Sequence, residues 1–158
     1  MNGQTRLPLE GITVIEVGRF ISAPWAAQLL ADFGADVIKI EHPVGGDLMR
    51  MSGPHLLDAE GNKTQESAYY LSTNRNKRSV ALDYTRPEGR EVLLQRIGRA
   101  DVLLENARPG SLTKHGLDDT IVAGANRQPS GARSRGSGSP GRAGIWRDST
   151  PPSRLSRA

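Results

Sequence analysis

One stretch of the chain decides its fold: ITVIEVGRFISAPWAAQLLADFGADVIKIE, residues 12–41. It opens with a β-branched run, residues 12–17, which lies between two glycines and predicts a buried strand. A helix is expected next, with Ser22 as its cap and Pro24 in its first turn. Residues 36–41 read as a second strand. Strand, helix and strand within about thirty residues predict a right-handed βαβ unit.

The predicted helix carries large apolar residues at the offsets of one helical face, and Gly34 supplies its C-terminal stop. The residues of that face are Ala26, Leu29, Leu30 and Phe33.

Further along, residues 43–66 contain Gly, Pro and polar residues and predict a long loop. The elements expected after it are a short strand or helical turn at 67–72, a strand at 79–82, a helix that opens at Pro87, a strand at 101–105 and a short helix around Leu112. This layout predicts an α/β fold with a partial, parallel, Rossmann-like sheet.

Charge divides the chain at about Gly124. Residues 1–124 hold 14 Lys and Arg against 16 Asp and Glu, whereas residues 125–158 hold seven Arg and one acid, Asp148. The net charge of +4 therefore comes from the C-terminal segment. That segment is rich in Arg, Ser, Gly and Pro, and it has too few apolar residues to offset chain entropy.

Several classes of protein are excluded by composition. The chain has no cysteine, so it has neither a disulfide framework nor a thiolate metal site. His42, His55 and His115 lack the spacing of a zinc helix, and no metal is expected. No apolar run approaches the roughly 20 residues that span a bilayer. Residues 1–9 lack the apolar core of a signal peptide, so we expect a cytoplasmic protein.

Four turns carry residues suited to binding an anionic ligand: Arg19–Ala23, Gly45–Asp47, Asn74–Arg78 and Glu105–Gly110. Ligands of open α/β sheets bind beyond the strand ends, where exposed amides favour anions. Arg and Lys side chains in the Asn74–Arg78 turn are suited to phosphate. From the residues alone, the simpler interpretations are favoured: a tight strand-to-helix turn at Arg19–Ala23 and a solvated charge run at Asn74–Arg78. A dinucleotide-binding fingerprint is absent from the sequence.

The order and the residues of these segments resemble those of family III coenzyme A transferases. The matching blocks are residues 9–14, 23–24, 30–41, 45–50, 74–79, 82–83, 87–89, 100–106 and 108–110. The resemblance covers residues 7–118, about three quarters of the chain. It implies an N-terminal portion of a large α/β transferase fold, in a homodimer of interlocked chains.

The resemblance also implies which residues contact coenzyme A (CoA). By motif position they are Ile21, Ser22, His42, Asn74, Arg75, Asn76, Lys77, Asn106, Ala107, Arg108 and Lys114. His42 and Lys114 stand where the family commonly has Arg, which implies weaker or less directional contacts. CoA is a substrate here, and no cofactor is expected. The second substrate is a small carboxylic acid.

Family members use a downstream Asp as nucleophile, and no residue of this chain matches it. Asp118 and Asp119 lie too early, and Asp148 lacks the surrounding motif. We therefore expect a truncated or inactive transferase. Residues 7–118 are the expected transferase portion. Residues 119–158 are expected to be a low-complexity tail, either disordered or the product of a frameshift.

Three other functions remain open at this point. The first is a racemase of the same superfamily, and the second is a CoA-binding remnant without turnover. The third is nucleic-acid binding through the Arg-rich tail, in which Trp146 is the only aromatic residue. The aromatic content is too low to favour this function, and neither nucleic acid nor a membrane is expected as a partner.

Overall fold

The computed structural model of the chain describes residues 6–125 and the backbone of residues 130–133 and 144–147. The strands are β1 (Thr13–Val17), β2 (Asp36–Glu41), β3 (His55–Leu57), β4 (Lys63–Ser67), β5 (Lys77–Ala81), β6 (Val102–Glu105), β7 (Ser130–Arg133) and β8 (Gly144–Arg147). The helices are α1 (Ser22–Asp32), α2 (Ala68–Asn74), α3 (Pro87–Ile97) and α4 (Asp119–Ala125), with 3₁₀ turns at Leu48–Met51 and Thr113–His115.

Six strands form one sheet in the order β5-β2-β1-β6-β7-β8. The strands from β5 to β7 are parallel, and β8 runs antiparallel to β7. The chain leaves β1 toward β2 and β5, then crosses back over β1 to reach β6. The order of the first four strands is therefore that of a doubly wound α/β domain, as the sequence predicted.

Successive residues of a strand point to opposite faces of the sheet, so both faces carry apolar side chains. Helices therefore cover both faces. Val14 and Val37 pack with Ala27 of α1 on one face. Ile15 and Ile40 pack on the other face, with a group of apolar residues from α3 and the following turns. These two apolar clusters hold the strands in register and fix where their carboxyl ends lie.

Of the predicted apolar face of α1, Ala26 and Leu30 are partly buried against the core, whereas the most buried apolar positions of the helix are alanines that the spacing had not indicated. Ala23, Ala27 and Ala31 are buried, whereas Leu29 and Phe33 are exposed. Alanine allows the helix to approach the sheet closely. The predicted cap is also wrong, because Ile21 occupies the cap position and no side chain caps the helix.

Residues 43–66, predicted as a loop, contain regular structure. A 3₁₀ turn at Leu48–Met51 is followed by the antiparallel pair of β3 and β4. Asp58 closes the hairpin by accepting hydrogen bonds from the Glu60 and Asn62 amides. The hairpin escaped prediction because its strands are short and mostly polar.

The structure continues past Asp118, where the sequence predicted the end of the folded portion. Helix α4 follows directly, and the backbones of β7 and β8 extend the sheet beside β6. Strand pairing uses backbone groups, so it does not require the apolar side chains that this segment lacks. The remainder of the predicted tail lies outside the described residues. No helix in the described part is long and apolar enough to cross a membrane.

Candidate functional site

The candidate site lies where the strand order reverses, between β1 and β6. Here the carboxyl ends of two parallel strands adjoin, and the chain leaves them in opposite directions. In open α/β sheets this switch point is the crevice at which ligands bind, and it is called the crevice below. The turn after β1, Gly18–Ser22, lies on one side, and the turn after β6, Asn106–Gly110, lies on the other. Two of the four predicted turns therefore meet here, and a third, Gly45–Asp47, contacts the turn after β1, because the Phe20 amide donates to Asp47 Oδ1 at 3.3 Å.

Asn106 joins these two turns through its side chain. Its Oδ1 accepts a hydrogen bond from the Arg19 amide at 3.0 Å, and its Nδ2 donates to the Arg19 carbonyl at 2.7 Å. The same Nδ2 also donates to Ser22 Oγ at 3.1 Å. Ser22 and Asn106, both predicted site residues, are thus in direct contact, with Ile21 exposed beside them.

Ala107 and Arg108 line an open cleft of about 570 Å³ beside β6. Its other lining residues include Glu105, Leu112 and Asp118. The Ala107 amide donates to Glu105 Oε2 at 2.8 Å, which fixes the start of the turn.

Three exposed cations belong to the turns around this crevice: Arg19, Arg108 and Lys114. Lys114 lies in the 3₁₀ turn that follows, where its amide donates to the Gly110 carbonyl. None of the three has an ion-pair partner within residues 6–125. Arg19 was absent from the residues that the resemblance implied, although it lies in a predicted turn.

His42 follows β2 and faces a second open cleft, of about 510 Å³. Its Nδ1 lies 3.1 Å from the Val44 amide, and its Nε2 lies 3.8 Å from Asp83 Oδ1. His55 lines the same cleft. Within the described residues, no cluster of His, Asp or Glu has the arrangement of a metal site.

Glu41, at the end of β2, anchors the loop that follows it. It accepts two hydrogen bonds from Arg50, whose guanidinium lies 3.7 Å from the centre of the Tyr70 ring. Burial by itself would raise the pKa of Glu41. Hydrogen bonds from Arg50, Ser79, the Asp47 amide and Tyr70 outweigh burial and lower that pKa to about 2. Glu41 is therefore a structural carboxylate at neutral pH.

In the predicted loop Gly45–Asp47, Gly46 allows the backbone to lie close to the Glu41 carboxylate. Gly46 has a φ of +59°, and a Cβ at this position would lie 2.7 Å from Glu41 Oε2. Only glycine fits this backbone beside the carboxylate.

Four charged side chains form a buried tetrad beneath the first turn of α1: Glu16, Lys39, Asp47 and Lys77. Lys39 Nζ lies 2.8 Å from Glu16 Oε1 and 2.9 Å from Asp47 Oδ2. Lys77 Nζ donates to Glu16 Oε2 at 2.8 Å. Burial lowers the pKa of Lys77 to about 8, against the raising effect of Glu16. The tetrad has equal numbers of positive and negative groups.

The turn Asn74–Arg78 lies at the opposite edge of the sheet from the crevice. Lys77 pairs with Val37 near the start of β2, so the residues before it lie at the amino ends of the strands. The sequence interpretation placed this turn at a strand end beside the others, but residues directly before a parallel strand lie at the amino edge of the sheet. That the residues of this turn contact CoA stays a prediction.

The polar groups of this turn are engaged within the chain. Arg75 donates twice to Asp32, at 3.2 Å and 2.6 Å, and Asn76 Nδ2 donates to the same carboxylate. Asn74 Nδ2 donates to the Tyr70 carbonyl, and Asn74 Oδ1 accepts from Lys77. Arg78 is ion-paired with Asp36. Only the Lys77 ammonium reaches toward the crevice, where it meets the Pro24 carbonyl at 2.6 Å.

Fold and site together define a doubly wound α/β domain with an anion-suited crevice at its switch point. A profile described as CoA-transferase family III matches residues 9–129. The chain belongs to that family, and the resemblance predicted from the sequence is confirmed.

The chain is similar to enzymes named for CoA transfer. It is 47% identical over 111 residues to succinate–glutarate CoA-transferase of Agrobacterium fabrum. The aligned region covers 70% of this chain and 28% of that enzyme. It is 41% identical over 124 residues to the alpha subunit of succinyl-CoA–L-malate CoA-transferase of Chloroflexus aurantiacus, covering 78% and 28% respectively. The chain therefore spans just over a quarter of the length of these two relatives and matches their family as an N-terminal portion.

Solved structures show the same fold. A CAIB/BAIF family protein from Brucella suis matches with a TM-score of 0.73 and 41% identity, over 81% of this chain and 33% of that one. The protein Rv3272 from Mycobacterium tuberculosis matches with a TM-score of 0.74 and 33% identity, over 90% of this chain and 38% of that one.

Proposed function

We propose that this chain supplies the CoA-binding edge of a transferase that moves CoA between an acyl-CoA donor and a carboxylic acid acceptor. The observation that carries the proposal is the crevice between β1 and β6. There Asn106 locks two turns together, and the exposed cations Arg19, Arg108 and Lys114 belong to the surrounding turns. The three phosphates of CoA suit such cations, none of which is ion-paired within residues 6–125.

The second substrate that we propose is a short dicarboxylic acid. Support comes from the names of the relatives, which include succinate with glutarate and succinyl-CoA with L-malate. These names favour transfer over racemisation.

The residues described here are proposed to bind CoA and not to carry out the chemical step, because the resemblance implies that the family's nucleophilic Asp lies downstream of the matched region. CoA is proposed as substrate and carrier, with no further cofactor. The alternative is a CoA-binding remnant without turnover, which the transfer assay described below distinguishes from a transferase.

We further propose a homodimer, as the resemblance implies. Four large apolar side chains follow one another at four-residue spacing along α1 and are exposed: Ile21, Trp25, Leu29 and Phe33. A stripe of this kind marks an interaction surface. Light scattering of the purified chain tests the proposal, and a monomer at all concentrations would contradict it.

Calorimetric titration tests the CoA proposal. We expect saturable binding of CoA to the full chain, weakened about tenfold by Arg108→Ala, because a charge-assisted contact to phosphate is lost. A parallel assay of CoA transfer from succinyl-CoA to glutarate separates binding from turnover. No heat of binding at millimolar CoA, with folded protein, would discard the proposal.

A further inference from the structure

The turn after β1 is held by side chains from three other segments. Lys39 Nζ donates to the Gly18 carbonyl at 3.0 Å, and Asn106 binds both backbone groups of Arg19. The Phe20 amide donates to Asp47 Oδ1 at 3.3 Å. Three consecutive residues of one turn are therefore fixed by partners 21 to 87 positions away in the chain.

Phe20 has a backbone conformation that needs such support. Its φ is +65°, in the left-handed region that residues other than glycine rarely adopt. The residue is 50% exposed, so burial of its side chain does not explain the conformation. Strain of this kind persists only where the surroundings impose it, and such strained residues cluster at functional sites.

Asp47 is the residue placed to impose it. The side chain is buried, and Oδ1 also accepts from the Met49 amide at 3.0 Å. Oδ2 lies 2.9 Å from Lys39 Nζ, the same ammonium that holds Gly18. Its own amide donates to Glu41 Oε2 at 2.9 Å, so both its backbone and its side chain are fixed. The carboxylate is thus rigid before any ligand arrives.

We infer that Asp47 is a positioning residue for the CoA-binding turn. It contacts no ligand itself. It holds Phe20 in the left-handed conformation and so sets where Ile21, Ser22 and the first turn of α1 face the crevice. The inference rests on the proposed function, because it assigns the purpose of the fixed turn to CoA binding. A preorganised turn saves the ordering cost that a mobile one would incur on binding.

Two substitutions at Asp47 test the inference, each measured at a temperature where the variant is folded. Asp47→Ala removes the acceptor, and we expect faster hydrogen exchange at the Phe20 amide together with about tenfold weaker CoA binding. Asp47→Asn keeps an acceptor oxygen, and we expect it to retain most of the affinity. Leu93→Ala is the control: it opens a buried apolar site on the other face, so it lowers stability without changing CoA affinity.

Substitutions at Phe20 test the same turn without altering Asp47. Glycine accepts a positive φ freely, whereas a β-branched residue resists it. We expect Phe20→Gly to preserve CoA affinity and to recover part of the affinity that Asp47→Ala loses. We expect Phe20→Val to weaken binding. These variants keep the inference testable if Asp47→Ala fails to fold.

Equal CoA affinity in wild-type and Asp47→Ala protein would overturn the inference while leaving the proposed function intact. An equal loss in Phe20→Gly and Phe20→Val would also overturn it, because the ring and not the turn would then matter. Absence of CoA binding by the wild-type chain would remove the proposed function and the positioning role together. Exchange of the Phe20 amide would then still report whether Asp47 holds the turn.

Discussion

The two edges of the sheet use their charged residues differently. At the amino edge, Arg75 and Arg78 form ion pairs at the surface with Asp32 and Asp36, respectively. At the carboxyl edge, the cations Arg19 and Arg108 have no ion-pair partner within residues 6–125, and an Asn side chain ties their turns together. A cationic turn is thus a poor guide to a phosphate site until one knows which cations the fold has already neutralised.

The largest expected effect concerns the buried tetrad that supports the carboxyl edge. Lys39→Met leaves Glu16 and Asp47 buried without their shared ammonium, and we expect a loss of about 3–5 kcal/mol in the free energy of unfolding. Urea unfolding measures it. The matched change at the amino edge, Arg75→Ala, breaks an exposed pair and should shift the midpoint little. Similar losses in both variants would contradict the contrast between the edges.

The second largest expected effect is the loss of stability at the carboxyl edge in acid. Glu41 has its pKa lowered from 4.5 to about 2, so its stabilisation is complete above pH 4.5 and is lost as the pH falls toward 2. The loss should be about 3 kcal/mol, because each unit of pKa shift corresponds to roughly 1.4 kcal/mol. Unfolding of wild-type and Glu41→Gln protein across this range tests it. The variant should show a flatter dependence, and parallel curves would be evidence against the assignment.

A smaller effect, on CoA affinity, distinguishes the carboxyl edge from the amino edge as the site of the CoA phosphates. Arg108→Ala and Lys114→Ala should each weaken CoA binding about tenfold or somewhat less, since one charged contact is removed. Arg75→Ala, suggested by the resemblance, should change the affinity less because Asp32 already neutralises that guanidinium. Calorimetry of the three variants decides between the edges. If Arg75→Ala proved the most damaging, the site would belong to the amino edge.

The smallest difference is expected between two asparagines. Asn106→Ala removes the bridge to Arg19 and Ser22, and we expect a several-fold loss of CoA affinity from a less ordered crevice. Asn76→Ala removes a side-chain bond to Asp32 at the other edge and should leave the affinity unchanged. Titration of both variants with CoA is sufficient. Equal affinities would show that the bridge has no part in binding.

Local sequence predicted the elements but not the partners of their charges. The β1–α1–β2 unit was predicted because its strands are β-branched runs, the first of which lies between two glycines. Glu16 and Lys39 lie inside those runs, and a charged residue in an otherwise buried strand was a signal that a partner must lie nearby. Which partner could not be read, because Lys77 meets Glu16 across 61 residues of chain.

The sequence predicted the part of the candidate site that follows the ends of strands. It misplaced the turn whose position in the sheet depends on whether that turn comes before or after a strand. Ser22 and Asn106 both come directly after strands, so their meeting followed from the parallel sheet. Asn74–Asn76 come directly before β5 and Lys77 begins it, and recognising this would have placed them at the other edge. The conformation of Phe20 had no local signal, since its cause is Asp47, 27 residues away.

The most direct test of the central claim is a map of backbone amide shifts in the isotopically labelled chain on addition of CoA. We expect the amides of residues 19–23 and 106–110 to shift together and to saturate at one CoA concentration. The amides of residues 75–78 should move little. Saturable shifts confined to residues 75–78, with the β1 and β6 turns unmoved, would contradict the placement of CoA at the carboxyl edge.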